Sequence, residues 1–257
     1  MNTTLSSRQL LQSAWQTNRI LKICAQQIFA SVSLLKPVET SEGKKPILYS
    51  YWHSSCSWRV RTALNWKNIP YETRAVNLLK PEKGQFAAEY RAINPTAQVP
   101  TLLIDGNNII ESIAILHYLE ETRPLPALLP QDAYERAKVR EIVEIIASGI
   151  QPLQNRKVQK HVGRDKRMEW VQHWINSGFR ALEEKLSTSA GKYCVGDEVS
   201  MADCCLLPQV FNARKSQVDM RPYPIISRIE SELEVIPAFI AAHPTNQPDC
   251  PTELSDR

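Results

Sequence analysis

Pro46-Ile47-Leu48-Tyr49-Ser50-Tyr51-Trp52-His53-Ser54-Ser55-Cys56-Ser57-Trp58 is the stretch that decides the fold. Its first half, up to Trp52, is rich in the β-branched and aromatic residues that suit a strand. From Trp58 to Trp66 the apolar residues Val60, Ala63 and Leu64 recur at near-helical spacing. Ser54-Ser55-Cys56 therefore occupies the turn between a first strand and a helix starting near Ser57. A helix N-terminus offers N–H groups without intrahelical acceptors and about half a positive charge. An anion such as a thiolate is stabilised there without a side-chain base, and the hydroxyls of Ser54 or Ser55 can donate to its sulfur. A free thiol has a pKa near 8.5, so only about 3% is ionised at pH 7, and each unit of lowering is worth ~1.4 kcal/mol. A plain cap and turn has the same residue types, so spacing alone leaves both readings open.

Outward from this stretch, Tyr71 to Leu78 alternates as a second strand and Gly84 to Ala92 suits a short helix. Val99 to Ile104 is a third strand, Asp105-Gly106-Asn107 a hairpin turn and Asn108-Ile109-Ile110 a fourth strand. Ser112 to Glu121 returns to helix, with Ile115, Leu116 and Leu119 on one face. The order β-α-β-α-β-β-α describes a small α/β domain over residues 45–125, its first crossover implying a right-handed parallel pair. Arg123-Pro124-Leu125-Pro126 and Pro130 mark a linker. Only helices follow, in a second domain over residues 133–250. Val139, Ile142, Val143 and Ile146 fit one helix, and Val171, Trp174, Ile175, Leu182 and Leu186 a longer one. Ser200-Met201-Ala202-Asp203 is a relative of the capping box. Pro208 should kink the helix it opens, Pro224 starts another, and the Pro-rich end from His243 reads as a surface tail.

The chain carries a net charge of +4, but residues 1–44 hold five basic residues against two acidic ones, so +4 less +3 leaves only +1 on the body. No global charge excess draws that body to nucleic acid. No apolar run reaches the roughly 18 residues needed to span a bilayer. Residues 1–44 contain no Asp or Glu before Glu39, with spaced Arg and Lys among Ser, Thr, Leu and Ile. That composition suits a mitochondrial transit peptide, or equally an N-terminal extension without an address. The six cysteines form no C-x-x-C pair and no metal-type spacing with the histidines. Adjacent Cys204 and Cys205 read as core packing. A cytoplasmic, reducing setting without disulfides fits them, and Cys56 is the exception.

Two further sites bear on Ser54-Ser55-Cys56. A proline opening a strand, as Pro100 does, often marks a cis bond in a tight turn, from which Val99 can offer its N–H and C=O to an extended peptide. At the start of the third helix, Ser112 and the helix N-terminus can hold a carboxylate while Glu111 takes an ammonium group. An α-amino-acid head group needs that pairing, although Glu-Ser alone also suits an ordinary helix start. Together the sites suit a γ-glutamyl tripeptide thiol.

Tyr49 to Leu64, with Ser54-Ser55-Cys56-Ser57-Trp58-Arg59-Val60-Arg61 at its centre, resembles the signature of zeta-class glutathione transferases, also called maleylacetoacetate isomerases. Asn94-Pro95, Gln98 to Leu102, Gln151 to Asn155 and Tyr193 to Asp203 resemble further stretches of that family, and the likeness runs from about Lys45 to about Leu254. The resemblance implies an α/β thioredoxin-like N-terminal domain followed by an all-α C-terminal helical domain, the glutathione transferase fold. It implies glutathione as cofactor, a homodimer, and a catalytic turn at Ser54, Ser55 and Cys56. Gln85, Val99, Glu111 and Ser112 match glutathione-contacting positions, as do Ser54 and Ser55. Gln151, in one of the matching stretches, can hydrogen-bond the substrate, and Arg214-Lys215 stand near the family's substrate-binding arginine. Two departures bear on the substrate: Glu111 stands where the family often has Gln, and His53 where it often has Arg.

The reaction so implied is the glutathione-dependent cis–trans isomerisation of maleylacetoacetate to fumarylacetoacetate, in tyrosine and phenylalanine degradation. Ser54 is its main thiolate stabiliser, Ser55 a helper, Cys56 secondary, and Arg214 or Lys215 the group that meets a substrate carboxylate. Arg59 is a lesser candidate, better suited to a structural pairing. Rivals are general conjugation or peroxide reduction by the same thiolate, a redox role for Cys56, and a non-catalytic interaction module.

Overall fold

In the computed structural model, which describes residues 45–80 and 84–255, the opening strand and its buried helix set the frame. The N-terminal extension and Cys24 lie outside the described residues. Strand β1 (Ile47–Ser50) leads through the turn into helix α1 (Ser55–Trp66), followed by β2 (Glu72–Ala75) and α2 (Ala88–Ile93). The hairpin β3 (Thr101–Ile104) and β4 (Asn107–Ile110) then feeds α3 (Ser112–Thr122). The sheet order is β2-β1-β3-β4. Ile47 pairs with Glu72 in the parallel β1–β2 ladder and with Leu103 in the antiparallel β1–β3 ladder. This is the thioredoxin-like arrangement expected, because a strand-helix-strand crossover and a tight hairpin are local decisions of the sequence.

Helices alone follow the linker: α4 (Ala133–Glu144), α5 (Arg156–Val162), α6 (Arg167–Ser189), α7 (Met201–Lys215), α8 (Pro224–Glu234), α9 (Pro237–Ala242) and α10 (Thr252–Ser255). One hydrophobic core joins the halves, running from Leu48 and Trp58 through Ile115 and Leu116 to Ile142, Phe179, Cys204 and Phe239. Helix α1 is buried along most of its length, packed on α3, α7 and α9, so it carries no solvent stripe. The linker is held by Lys67, whose Nζ donates to Glu120 Oε2 (2.7 Å) and to the carbonyls of Arg123 (2.8 Å) and Pro126 (2.9 Å). Glu120 accepts in turn from the N–H groups of Leu128 and Leu129.

Several boundaries differ from the sequence reading. Helix α1 begins at Ser55 rather than near Ser57, because Ser54 itself is the N-cap. The second strand ends at Ala75, where Asn77 Oδ1 accepts from the N–H groups of Leu79 and Lys80 and turns the chain. Helix α2 starts at Ala88, since Gly84 to Ala87 close a turn through Ala87 N to Gly84 O (3.1 Å). The third strand starts at Thr101, after a cis Val99–Pro100 bond. Helix α7 runs from Met201 to Lys215 through Pro208. After α4 the chain widens into a π-helical turn, Ile145–Ile150. The end beyond His243 is not a surface tail: Pro244 and Gln247 are buried, and Asp249 accepts from the backbone of Trp52.

Candidate active site

Ser54 is set by the turn before it and the helix after it. Its N–H donates to Tyr51 O at 2.9 Å, closing the turn Tyr51-Trp52-His53-Ser54. Its Oγ accepts from Ser57 N at 3.1 Å, the N-cap bond of α1. An oxygen engaged as an acceptor by the helix keeps its own proton to donate. Ser54 and Cys56 line one cavity of about 650 Å³. The unpaired first-turn N–H groups of α1 add their positive end there.

Gln85, Val99, Glu111, Ser112 and Gln151 line the same cavity, drawn from four separate segments of chain. The loop that carries Val99 is pinned from behind by Tyr90 and Asn94, which both donate to Gln98 O. Asn94 Nδ2 also donates to Thr101 Oγ1 at 2.9 Å. Glu111 sits at φ 67°, a left-handed conformation that costs a non-glycine residue about 1–3 kcal/mol and persists where surroundings over-determine it. It bends the chain so that Ser112 opens α3 at the cavity wall. Arg59, buried within α1, donates from Nη1 to Ser112 Oγ at 3.2 Å. Gln85 Oε1 is buried without a donor among the described residues, an acceptor suited to a group from outside the chain. An amide-rich peptide supplies such a donor, so these walls fit glutathione.

Ser55, Arg214 and Lys215 do not line this cavity. Ser55 is the buried first residue of α1. Arg214 is tied to Glu230, donating from Nε at 2.7 Å and from Nη2, and that bonding holds its pKa above the usual arginine value. This pairing with Glu230 competes with the substrate-cation role expected for Arg214, although its side chain remains half exposed. Lys215 points to the active-site turn instead, its Nζ 2.5 Å from His53 Nε2. Sequence reasoning missed Arg156, which lines the cavity from the start of α5 together with Lys157 and Lys160. The signal was the basic pair directly after Gln151 to Asn155, but helix α5 itself was not foreseen.

His53 has its pKa lowered to about 4, by burial first and then by the charges of Lys215 and Arg156. Burial and Arg156 also lower Lys215. Folding thus prefers the neutral imidazole. The stability it contributes is whole above the unfolded value near 6.5 and is lost as pH falls toward 4. NMR titration should find His53 ionising near pH 4, and Lys215→Ala should move that midpoint upward. A midpoint at 6.5 in the intact protein would overturn this.

A thiol peptide with an amino-acid head is what these walls accept, and the fold presenting them is that of a glutathione transferase. The family described as glutathione S-transferase, N-terminal domain, matches residues 53–122. Probable maleylacetoacetate isomerase 2 of Drosophila melanogaster is 66% identical over 223 residues, which cover 87% of this chain and 98% of that protein. A maleylacetoacetate isomerase from Anaeromyxobacter dehalogenans 2CP-1, solved with GSH bound in the active site, is 43% identical with a TM-score of 0.74, covering 80% of this chain and 98% of its own. A second structure of that enzyme holds dicarboxyethyl glutathione and citrate in the active site, at 42% identity, TM-score 0.74 and the same coverage of 80% and 98%. The chain belongs to the zeta class of glutathione transferases, the maleylacetoacetate isomerase family.

Proposed function

We infer that Ser54 is the hydroxyl that holds the thiolate in a glutathione-dependent isomerase converting maleylacetoacetate to fumarylacetoacetate, and that general transferase activity on small electrophiles accompanies it. The observation that carries this reading is Ser54 Oγ at the α1 N-terminus, acceptor-engaged by Ser57 N and open to the cavity. Bound glutathione supplies a thiolate that adds to the maleyl double bond and leaves again, so that the bond is single while it rotates. Everything else is the work of the chain. Ser54 donates its proton toward the sulfur, and the N–H groups of the first turn of α1 add to the local positive potential. Cys56 shares the cavity wall in a secondary role, and Ser55 contributes through the helix backbone. Glu111, Ser112, Gln85 and the Val99 backbone hold the peptide. Gln151 and Arg156 face the substrate, and Lys215, beside His53, adds its charge to the positive potential that Arg156 sets there.

The same reading divides the labour between residues 45–125, which bind glutathione, and residues 133–250, which bind the dicarboxylate. It places the enzyme in tyrosine and phenylalanine degradation, as a homodimer in the cytoplasm. A reporter fused to residues 1–44 that reaches mitochondria would replace that location. No helix among the described residues is long and apolar enough to cross a membrane.

The decisive assay supplies maleylacetone with and without glutathione and follows the fumaryl product. Glutathione-dependent product formation is expected, and its absence would overturn the reading. Arg156→Ala should raise the KM for the dicarboxylate about tenfold, from loss of a charge-assisted hydrogen bond of about 1.5 kcal/mol. An unchanged KM would remove Arg156 from the site.

A further inference from the structure

The segment from Ala242 to Cys250 reaches back across the molecule to the turn that carries Ser54. That turn has its backbone groups engaged from behind. Arg61, fully buried, donates from Nη1 to Tyr51 O (3.3 Å) and to Ser50 Oγ (3.1 Å), and from Nη2 to Trp52 O (3.1 Å). Its Nε donates to Ala242 O at 3.1 Å, so the same guanidinium joins the turn to the C-terminal segment. Trp52 N donates to Asp249 Oδ2 at 2.9 Å, a contact between residues 197 positions apart. Between these two anchors, the His243 ring stands edge-on to Trp58 and Phe211, at 5.1 and 5.6 Å. Asp249 Oδ1 is buried and has no donor among the described residues, so within them this carboxylate fastens nothing in its own segment. Among the described residues, its one hydrogen-bonded contact is the N–H at the second position of the turn.

We propose that Asp249 is a positioning residue for the isomerisation, fixing the Trp52 N–H so that the turn aims Ser54 Oγ into the cavity. The proposal rests on the reading of Ser54 as the thiolate-holding hydroxyl. The physical case is one of complementary restraint. Arg61 and the Ser54 N–H hold the Tyr51 carbonyl oxygen, one edge of the peptide plane before Trp52. The opposite edge, the Trp52 N–H, needs its own acceptor to fix the tilt of that plane. Asp249 supplies that second restraint, and its charge offsets that of Arg61 across the turn. Displacement of a catalytic group by about 1 Å can lower a rate by two orders of magnitude, so a small tilt there is enough to matter.

Asp249→Ala should lower kcat about tenfold while the KM for maleylacetone stays within about twofold, and should shift the rising limb of the pH–rate profile to higher pH. Asp249→Asn, whose amide oxygen still accepts from Trp52 N, should restore most of the rate. A chain ended after Pro248 should resemble Asp249→Ala, and one ended after Cys250 should not. This pair serves as the second route if Asp249→Ala fails to fold. Thermal melts of each variant separate lost positioning from lost structure. Wild-type kcat and pH profile in Asp249→Ala or the Pro248 truncation would overturn the proposal, as would Asp249→Asn being as impaired as Asp249→Ala. Full activity in Ser54→Gly would instead overturn the underlying reading of Ser54, which these variants leave separately measurable.

Discussion

Ser54→Ala should lower the isomerisation rate by two to three orders of magnitude, the loss typical of removing one donor from a developing or resting anion in a water-poor site. The bound thiol should ionise at a higher pH in the variant, seen directly in its ultraviolet thiolate absorbance. Alanine also removes the N-cap bond to Ser57 N, which costs about 1 kcal/mol of stability. Ser54→Gly separates the two effects, because glycine at an N-cap costs only about a few tenths of a kcal/mol yet has no hydroxyl. Both variants should lose the rate and only alanine should lower the melting temperature noticeably. Ser55→Ala should be nearly silent in kcat, since Ser55 does not line the cavity. A Ser54→Gly enzyme with full rate would sink the assignment.

Asp203→Ala should destabilise the protein by about 3–5 kcal/mol, because it leaves several buried donors without acceptors. Asp203 is fully buried, and its Oδ1 accepts from Cys194 N at 2.9 Å. Its Oδ2 accepts from Ser200 N and Ser200 Oγ, both at 2.8 Å. Burial pushes this carboxyl up while those hydrogen bonds hold it down. The residue thus fastens the start of α7 to the loop at Cys194, and α7 is a wall of the common core. The melting temperature should fall by roughly 10 °C. Ser200→Ala, which removes the cap bond to Ala202 N but leaves the backbone donor, should cost about 1 kcal/mol. An Asp203→Ala melt within a few degrees of wild type would refute this accounting.

The capping box at Ser200 and Asp203 was legible in advance because its signal is local, two polar residues at a fixed spacing before an apolar run. So were the strand before Tyr51, the hairpin at Asp105-Gly106 and the cis bond at Pro100. The different surroundings of Arg214 and Lys215 were not legible, for the converse reason. Next to Lys215 in sequence, Arg214 shares the same local pattern, and only α8 arriving with Glu230 turns one cation outward while the other meets His53. Asp249 gave no signal, lying in a Pro-rich stretch with the composition of a surface tail.

Sequence by itself determined the element order of the sheet-containing half, the helix terminus at Ser54 and the residue types that suit a peptide thiol. These follow from hydrophobic period, turn chemistry and capping, each settled within a few neighbouring residues. Tertiary structure alone decided which side chains share the cavity, that Ser55 does not line it, that Arg156 does, and that Asp249 reaches the turn before Ser54. Such choices depend on how α1, α5, α7 and the C-terminal segment pack about one core, where contacts between residues far apart in the chain are set by shape and burial rather than by spacing.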